Sequence, residues 1–443
     1  MEARVEPPEG VGNGAGPHDP LARNLRSIFI GSVGNLVEWY DFYAYSAFSL
    51  YFAGAFFPEA DELAQQLSTA LIFAFGFIVR PVGGWLFGRM ADQHGRRRAL
   101  TMSVLLMCFG SLLIALTPGH AQIGAAAPVL LVLARVLQGL SLGGEYGASA
   151  TYLSEIAEPR RRGFYSSFQY VTLLGGQLLA IVVLLVLQSF LLSEAQLRSW
   201  GWRIPFVIGA MFALVATLMR KGLAESEQFQ AIQGSVRRES SLRALARYPR
   251  EVAIVVGLTA GGTAAFYTYT TYMQKFLKLS TGLSALETTQ ITALALLFAM
   301  LLQPVYGALS DRIGRKWLLI GFGVSGTLFT IPLLTALQET RSALVSLLLL
   351  CGAWLIVSGY TSINAVVKAE LFPTRVRATG VGLPYAITVS LFGGTVESVA
   401  LAFKRAGHEH WFYYYLTGCI ALSLLVYLGM RDTRHESAME RSE

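Results

Sequence analysis

Twelve largely apolar stretches recur along this chain, near residues 28–52, 67–90, 100–117, 127–153, 166–190, 203–219, 252–273, 288–309, 318–337, 343–367, 380–402 and 411–430. Each is long enough to cross a ~30 Å hydrocarbon core as a helix. Strands crossing the same distance would be about half as long and would alternate in polarity. Backbone groups in lipid must also be satisfied within the element, so a helical bundle is predicted rather than a barrel. Composition agrees: 53% of the 443 residues are hydrophobic and only 14% are charged, against roughly 25% charged in soluble domains. Pro81, Pro205, Pro304, Pro332 and Pro384 fall within or at the ends of these stretches and are predicted to kink packed helices. The expectation is an all-α membrane protein with twelve transmembrane helices.

The charge pattern gives an orientation. Of 35 Lys and Arg residues, 26 fall in alternate connections and the two termini, and seven (Arg198, Arg203, Lys275, Lys278, Arg341, Lys404 and Arg405) fall in the opposite set. Basic loops stay on the cytoplasmic side, so both termini are expected in the cytoplasm. The formal charge of +7 is thereby explained by topology, and no nucleic-acid partner is expected, because the basic residues form no stripe on a soluble surface. Residues 1–25 are rich in Gly, Pro and charge and read as a disordered tail without a cleavable signal peptide. Cys108, Cys351 and Cys419 all lie inside apolar runs, which supports neither a disulfide framework nor a metal site.

The chain repeats internally. Gly88-Arg-Met-Ala-Asp92-Gln-His-Gly95-Arg-Arg after the second stretch recurs as Gly307-Ala-Leu-Ser-Asp311-Arg-Ile-Gly314-Arg-Lys after the eighth. Glu155, Arg160 and Arg162 after the fourth recur as Glu370, Arg375 and Arg377 after the tenth, at nearly the same offset. The sequence therefore divides into two six-helix bundles, 26–219 and 251–430, with a charged cytoplasmic linker at 220–250 and a cytoplasmic tail at 431–443. Duplicated bundles of this kind hold a substrate near the midplane between the halves and work by rocking. Asp92 and Asp311 are expected to form a cytoplasmic gate with Arg160, Arg162, Arg375 and Arg377. Gly84 and Gly88, and Gly139, Gly143 and Gly147, have the spacing that lets helices approach closely.

An ionisable side chain at bilayer depth costs about 2.5–3.5 kcal/mol on insertion scales, so each should face a cavity or a partner. Those inside the stretches are Glu38, Asp41, Arg80, Arg135, Glu145 and Glu397, with Lys368 expected to end the tenth stretch and snorkel. Glu38 and Asp41 are three apart on one helix face, which suits a proton carrier, and Tyr45 one turn on is a substrate-binding candidate. Glu145 and Glu397 are the other proton-coupling candidates. Arg80 and Arg135 are the only mid-span cations in this reading, and guanidinium is the best match for a carboxylate. An organic anion is expected to anchor there. The opposing wall would be drawn from Tyr267 and Tyr272 in the polar run Tyr267–Tyr272, with Gln169 and Asn364. No phosphate-binding loop, HExxH or G-x-S-x-G motif occurs. An ion or substrate gradient is expected to supply the energy, with no cofactor and no enzymatic activity.

The two G-x-x-x-D-x-x-G-[RK]-[RK] loops and Arg135-Val-Leu-Gln138-Gly139 resemble signatures of the major facilitator superfamily. More narrowly, Gly34-Asn-Leu-Val-Glu38-Trp-Tyr-Asp41-Phe-Tyr-Ala-Tyr45, Arg80-Pro-Val-Gly-Gly-Trp-Leu-Phe-Gly88, Gly143-Gly-Glu145-Tyr-Gly147 and Gly201-Trp-Arg203-Ile-Pro-Phe206 are similar to its metabolite:proton symporter branch. So are Gly163–Leu173, Phe266–Lys275 and Lys368–Pro373. Gln93 departs from the pattern, which usually has Arg or Lys after the loop Asp. The resemblance implies uptake of a dicarboxylic acid, alpha-ketoglutarate foremost, with protons, by a monomer in a bacterial inner membrane. The residues themselves leave citrate-like acids and zwitterionic solutes such as betaine or proline open.

Overall fold

The computed structural model describes residues 20–94, 96–143, 145–155, 157–220, 245–373, 376–434 and 437–439. Among them the chain is helical, with no strand. Before residue 221 the main helices are α1 (Pro20–Phe56), α2 (Glu62–Ile78), α3 (Arg80–His94), α4 (Arg96–Leu116), α5 (Ala126–Leu142), α6 (Glu145–Glu155), α7 (Arg162–Val186) and α8 (Ile204–Arg220). After residue 244 they are α9 (Pro249–Tyr267), α10 (Met273–Ser280), α11 (Ala285–Ile313), α12 (Arg315–Glu339), α13 (Ala343–Thr361), α14 (Asn364–Leu371), α15 (Arg377–Thr388), α16 (Val396–Arg405) and α17 (Glu409–Gly429). These two sets are called the first and second halves below. Eight helical rods are long and apolar enough to cross a membrane among the described residues, several of them built from two labelled helices in line, such as 343–371 and 377–405.

Local signals set the helix ends. Asp61 accepts the Ala64 N–H at 2.8 Å to start α2, and a Ser284–Glu287 capping box starts α11. Gly314, at φ 100°, ends α11 in a conformation that side chains with a Cβ rarely adopt. Helix α1 begins at Pro20, inside the stretch expected as a tail; proline suits a first turn, whose N–H groups have no partner within the helix. Pro81 and Pro205 stand in the first turns of α3 and α8, and Pro81 follows the break at Val79 inside the rod 62–87, whereas Pro304, Pro332 and Pro384 lie within helices.

The packing is inside-out relative to a soluble protein. Phe109, Val129, Leu301, Leu328, Leu348 and Leu425 face outward, while Glu38, Asp41, Arg80, Arg135, Lys275, Lys368 and Glu397 are buried. That distribution fits a hydrocarbon solvent, in which an exposed leucine costs nothing and an exposed charge costs several kcal/mol. The two halves meet along a seam where α7 packs on α11, α2 on α16, and α6 on α14 and α15. Contacts bridge the seam along its whole length. At the basic-loop end, Arg377 pairs with Glu155 at 2.6 Å. In the middle, Tyr146 donates to Asn364 at 2.8 Å. Towards the other end, Gln177 donates to the Thr270 carbonyl at 2.9 Å and Ser46 to that of Thr271 at 3.4 Å.

Candidate functional site: buried charges at the seam

Three helices of the first half bring the sequence-predicted charges together. Helix α1 supplies Glu38, Asp41, Phe42 and Tyr45, α3 begins at Arg80, and α5 carries Arg135 and Gln138. Glycines make this crossing possible. A Cβ on Gly143 would lie 2.0 Å from the Arg80 carbonyl oxygen, and one on Gly139 would lie 2.0 Å from that of Gly76. Only residues without side chains let the two backbones approach so closely.

The Arg80 guanidinium lies in an aromatic cage, with its Cζ 3.9 Å from the Phe77 ring centroid, 4.4 Å from Phe42 and 5.2 Å from Trp39. It is 4% exposed, and its Nε and Nη2 have no hydrogen-bond partner. No carboxylate pairs with it among the described residues. Ring faces attract a cation but supply much less than a counter-ion. Arg135 is held differently: Nη1 donates to Gln138 Oε1 at 2.7 Å, and the group lies over Phe42, Tyr45 and Phe73 at 4.2, 4.5 and 4.8 Å. Gln138 Nε2 in turn donates to Asp41 Oδ2 at 3.0 Å and to Ser111 Oγ at 2.9 Å, and Ser111 also donates to Asp41. Arg135, Gln138, Asp41 and Ser111 thus form one buried chain in which an amide separates the cation from the carboxylate. Glu38 is buried and neither of its oxygens has a partner. The Tyr45 hydroxyl is committed to the Thr69 carbonyl at 3.0 Å.

Beside Arg80, a cluster of tyrosines from both halves gathers at the seam. Tyr267 packs edge-on to Phe77, with centroids 5.0 Å apart, and is close enough to Arg80 and Tyr43 to interact electrostatically. Tyr146 stacks on Tyr385 at 3.6 Å and 9° between planes, and Tyr170 completes the group. Gln169 accepts from Ser149 at 2.6 Å and keeps its Nε2 free. Asn364 receives Tyr146. Tyr272 does not join them. Its hydroxyl is directed to Glu409 at 3.5 Å, in a network with Ser280 and Lys404 at the far end. The cause is local: Thr268–Tyr272 is one π-helical turn, in which the hydroxyls of Thr268, Thr270 and Thr271 bond back four residues.

Two lysines correct the sequence reading. Lys368 does not snorkel; it is fully buried at the seam, because the rod continues past it to Leu371. Lys275, counted as a loop cation, is also buried and forms an ion pair with Glu397, so Arg80 and Arg135 are not the only cations inside. Glu397 Oε2 has no partner. Tyr267 was legible from its polar run, whereas Tyr43, Tyr146, Tyr170 and Tyr385 carry no sequence signal beyond being aromatic, and Lys368 is missed because an acidic residue two places on looks like a membrane boundary.

At the basic-loop end, Asp311 bonds backbone amides and Arg315 among the described residues. It accepts the backbone N–H groups of Gly163 and Phe164 at 2.8 and 2.9 Å, at the start of α7, and pairs with Arg315 at 2.7 Å. A carboxylate is favoured there because the first amides of a helix are unsatisfied and carry positive partial charge. The backbones come close enough because Gly163 and Gly307 face each other, where a Cβ on Gly307 would sit 2.6 Å from the Gly163 carbonyl oxygen. Arg315 also reaches Glu370 at 3.5 Å. Arg162 acts electrostatically on Glu370, Arg377 pairs with Glu155, and Arg160 is exposed. The expected terminal tail docks here: Thr433 donates to Glu370 at 2.6 Å and the Arg315 N–H to Asp432 at 3.2 Å. Arg375 and the side chains of Asp92 and Glu145 lie outside the described residues. Among the described residues no three His, Cys, Asp or Glu side chains converge as a metal site requires, and the three cysteines are free.

The sequence profile of the family described as "Sugar (and other) transporter" matches residues 27–248 and 240–443. The chain belongs to this family, within the major facilitator superfamily. It is therefore a multi-pass membrane transporter and not an enzyme. It is 51% identical over 406 residues to the alpha-ketoglutarate permease of Escherichia coli (strain K12), covering 92% of this chain and 93% of that one. It is 34% identical over 372 residues to the citrate-proton symporter of Klebsiella pneumoniae, covering 83% of each. A crystal structure of a D-xylose-proton symporter superposes with a TM-score of 0.73 at 19% identity, over 94% of this chain and 99% of that one. That likeness speaks to the fold alone.

Proposed function

We propose that this protein is a proton-coupled symporter that imports a dicarboxylate, alpha-ketoglutarate foremost, across a bacterial inner membrane by alternating access. The observation that carries the reading is Arg80: a buried guanidinium with no carboxylate partner among the described residues, facing tyrosine hydroxyls at the seam. An ion left in that condition is stabilised when a negatively charged ligand arrives. The chain Arg135–Gln138–Asp41–Ser111 and Glu38 lie on or beside the helix whose Trp39 and Phe42 rings cover Arg80, and supply the carboxylates for proton coupling. The protein crosses the membrane twelve times in two bundles with both termini in the cytoplasm, and the Asp311 and Glu155–Arg377 contacts act as a cytoplasmic gate. Energy comes from the proton gradient, the monomer suffices, and no cofactor is required. The high identity to a permease for this acid supports the choice of substrate.

The test is uptake of labelled alpha-ketoglutarate into proteoliposomes, with and without an imposed pH gradient, and with citrate, betaine and proline as competitors. Accumulation above the external concentration is expected only with the gradient, with betaine and proline competing weakly. Accumulation indifferent to the gradient removes proton coupling, and betaine or proline displacing the diacid removes the substrate class.

A further inference from the structure

Lys368 is a buried cation with no task in the reading above. Its Nζ is held by Asn364 Oδ1 at 2.8 Å and by the Tyr146 hydroxyl at 3.2 Å, and lies 4.0 Å from the Tyr385 ring centroid. No carboxylate pairs with it among the described residues, although Lys275, Arg315 and Arg377 all have one. Arg80 is in the same condition on the other half. Both cations bear on Tyr385: Lys368 lies over its ring, and Arg80 is near enough to act on it electrostatically. Two uncompensated cations, one from each half, therefore border one cluster of hydroxyls.

A buried charge without a counter-ion lowers stability, so its retention at the seam calls for a ligand that completes it. We propose that Lys368 binds the second carboxylate of the substrate while Arg80 binds the first, so that a dianion bridges the two halves. This rests on the dicarboxylate reading. The arrangement selects for two negative charges. A monoacid leaves one cation uncompensated, and the ammonium group of a zwitterion is repelled by whichever cation its carboxylate does not reach. The Tyr146 hydroxyl and the Asn364 carbonyl oxygen accept two of the lysine's three donors. Tyr146 belongs to the first half and Asn364 to the second, so Lys368 already reports whether the halves are together.

The experiment measures calorimetric binding of alpha-ketoglutarate and of 2-oxopentanoate, the monoacid of equal chain length, to purified wild type, Lys368→Met and Lys368→Gln, with melting curves for each. The wild type should prefer the diacid. The neutral variants should lose roughly 10- to 100-fold in diacid affinity, the range for one charge-assisted contact, with the monoacid changed less than about threefold. Their substrate-free melting midpoints should equal or exceed that of the wild type. A variant that keeps the diacid preference, or loses both acids equally, overturns the role. Failure of both variants to fold overturns it too, because Lys368 would then be a structural group. Should the wild type bind neither acid, the dicarboxylate reading fails instead.

Discussion

Substituting Gly143 by alanine tests whether the close helix crossing is what places Arg80. The added Cβ would meet the Arg80 carbonyl oxygen at 2.0 Å and the Gly84 nitrogen at 2.6 Å. Both are backbone atoms, so no side chain can rotate away. Reaching an ordinary contact of 3.4 Å requires α3 and α5 to separate by about 1.4 Å, and overpacking of this kind costs about 1–3 kcal/mol. The displaced atom belongs to Arg80 itself, whose guanidinium sits 3.9 Å from Phe77 and 4.4 Å from Phe42. Gly352→Ala is the control: its Cβ meets nothing within 4 Å, and it lies inside α13, where alanine is favoured over glycine by about 0.5–1 kcal/mol. In detergent, Gly143→Ala should melt several degrees below Gly352→Ala and bind alpha-ketoglutarate at least about tenfold more weakly, a typical loss for a misplaced ligand group. Equal melting midpoints and equal affinities would refute the claim that small residues at this crossing set the position of the guanidinium.

Two further outcomes follow from the hydrogen-bond chains. Asp41→Asn keeps the volume but removes the charge that Ser111 and Gln138 hold; gradient-driven accumulation in proteoliposomes should fall to the no-gradient level while substrate exchange stays within about tenfold, and retained accumulation would move the proton to another carboxylate. Asp311→Asn weakens three charge-assisted contacts, those to the Gly163 and Phe164 amides and to Arg315, each worth about 1.5–3 kcal/mol; spin labels at exposed positions 160 and 312 should report a new, longer distance population, and an unchanged distribution would deny this contact a gating role.

How much of this was legible depended on whether a residue's chemistry was out of keeping with its neighbours. Arg80, Arg135, Glu38 and Asp41 stand out as charges inside apolar runs, and the structure gathers them within one half. Asp311 was legible through its repeat, but its partners were not, since backbone amides at a helix start leave no mark on residue identity. Lys368 and Lys275 look like boundary residues because the turns that keep the chain helical past Tyr267 and Thr361 are not written as hydropathy. Tyr272 fits the polar run by spacing, yet the π turn sends it to Glu409. The tyrosine cluster draws on α1, α6, α7, α9 and α15, which only the packing of the two halves brings together.

One phenylalanine carries a consequence for coupling. The Phe42 ring sits 4.4 Å from the Arg80 guanidinium and 4.2 Å from that of Arg135. A single side chain is thus common furniture to the group that stands ready for an anion and to the group that ends the Asp41 relay. Any tilt of that ring made to suit one tenant is felt by the other, so a change at either address is delivered to both without a moving loop between them.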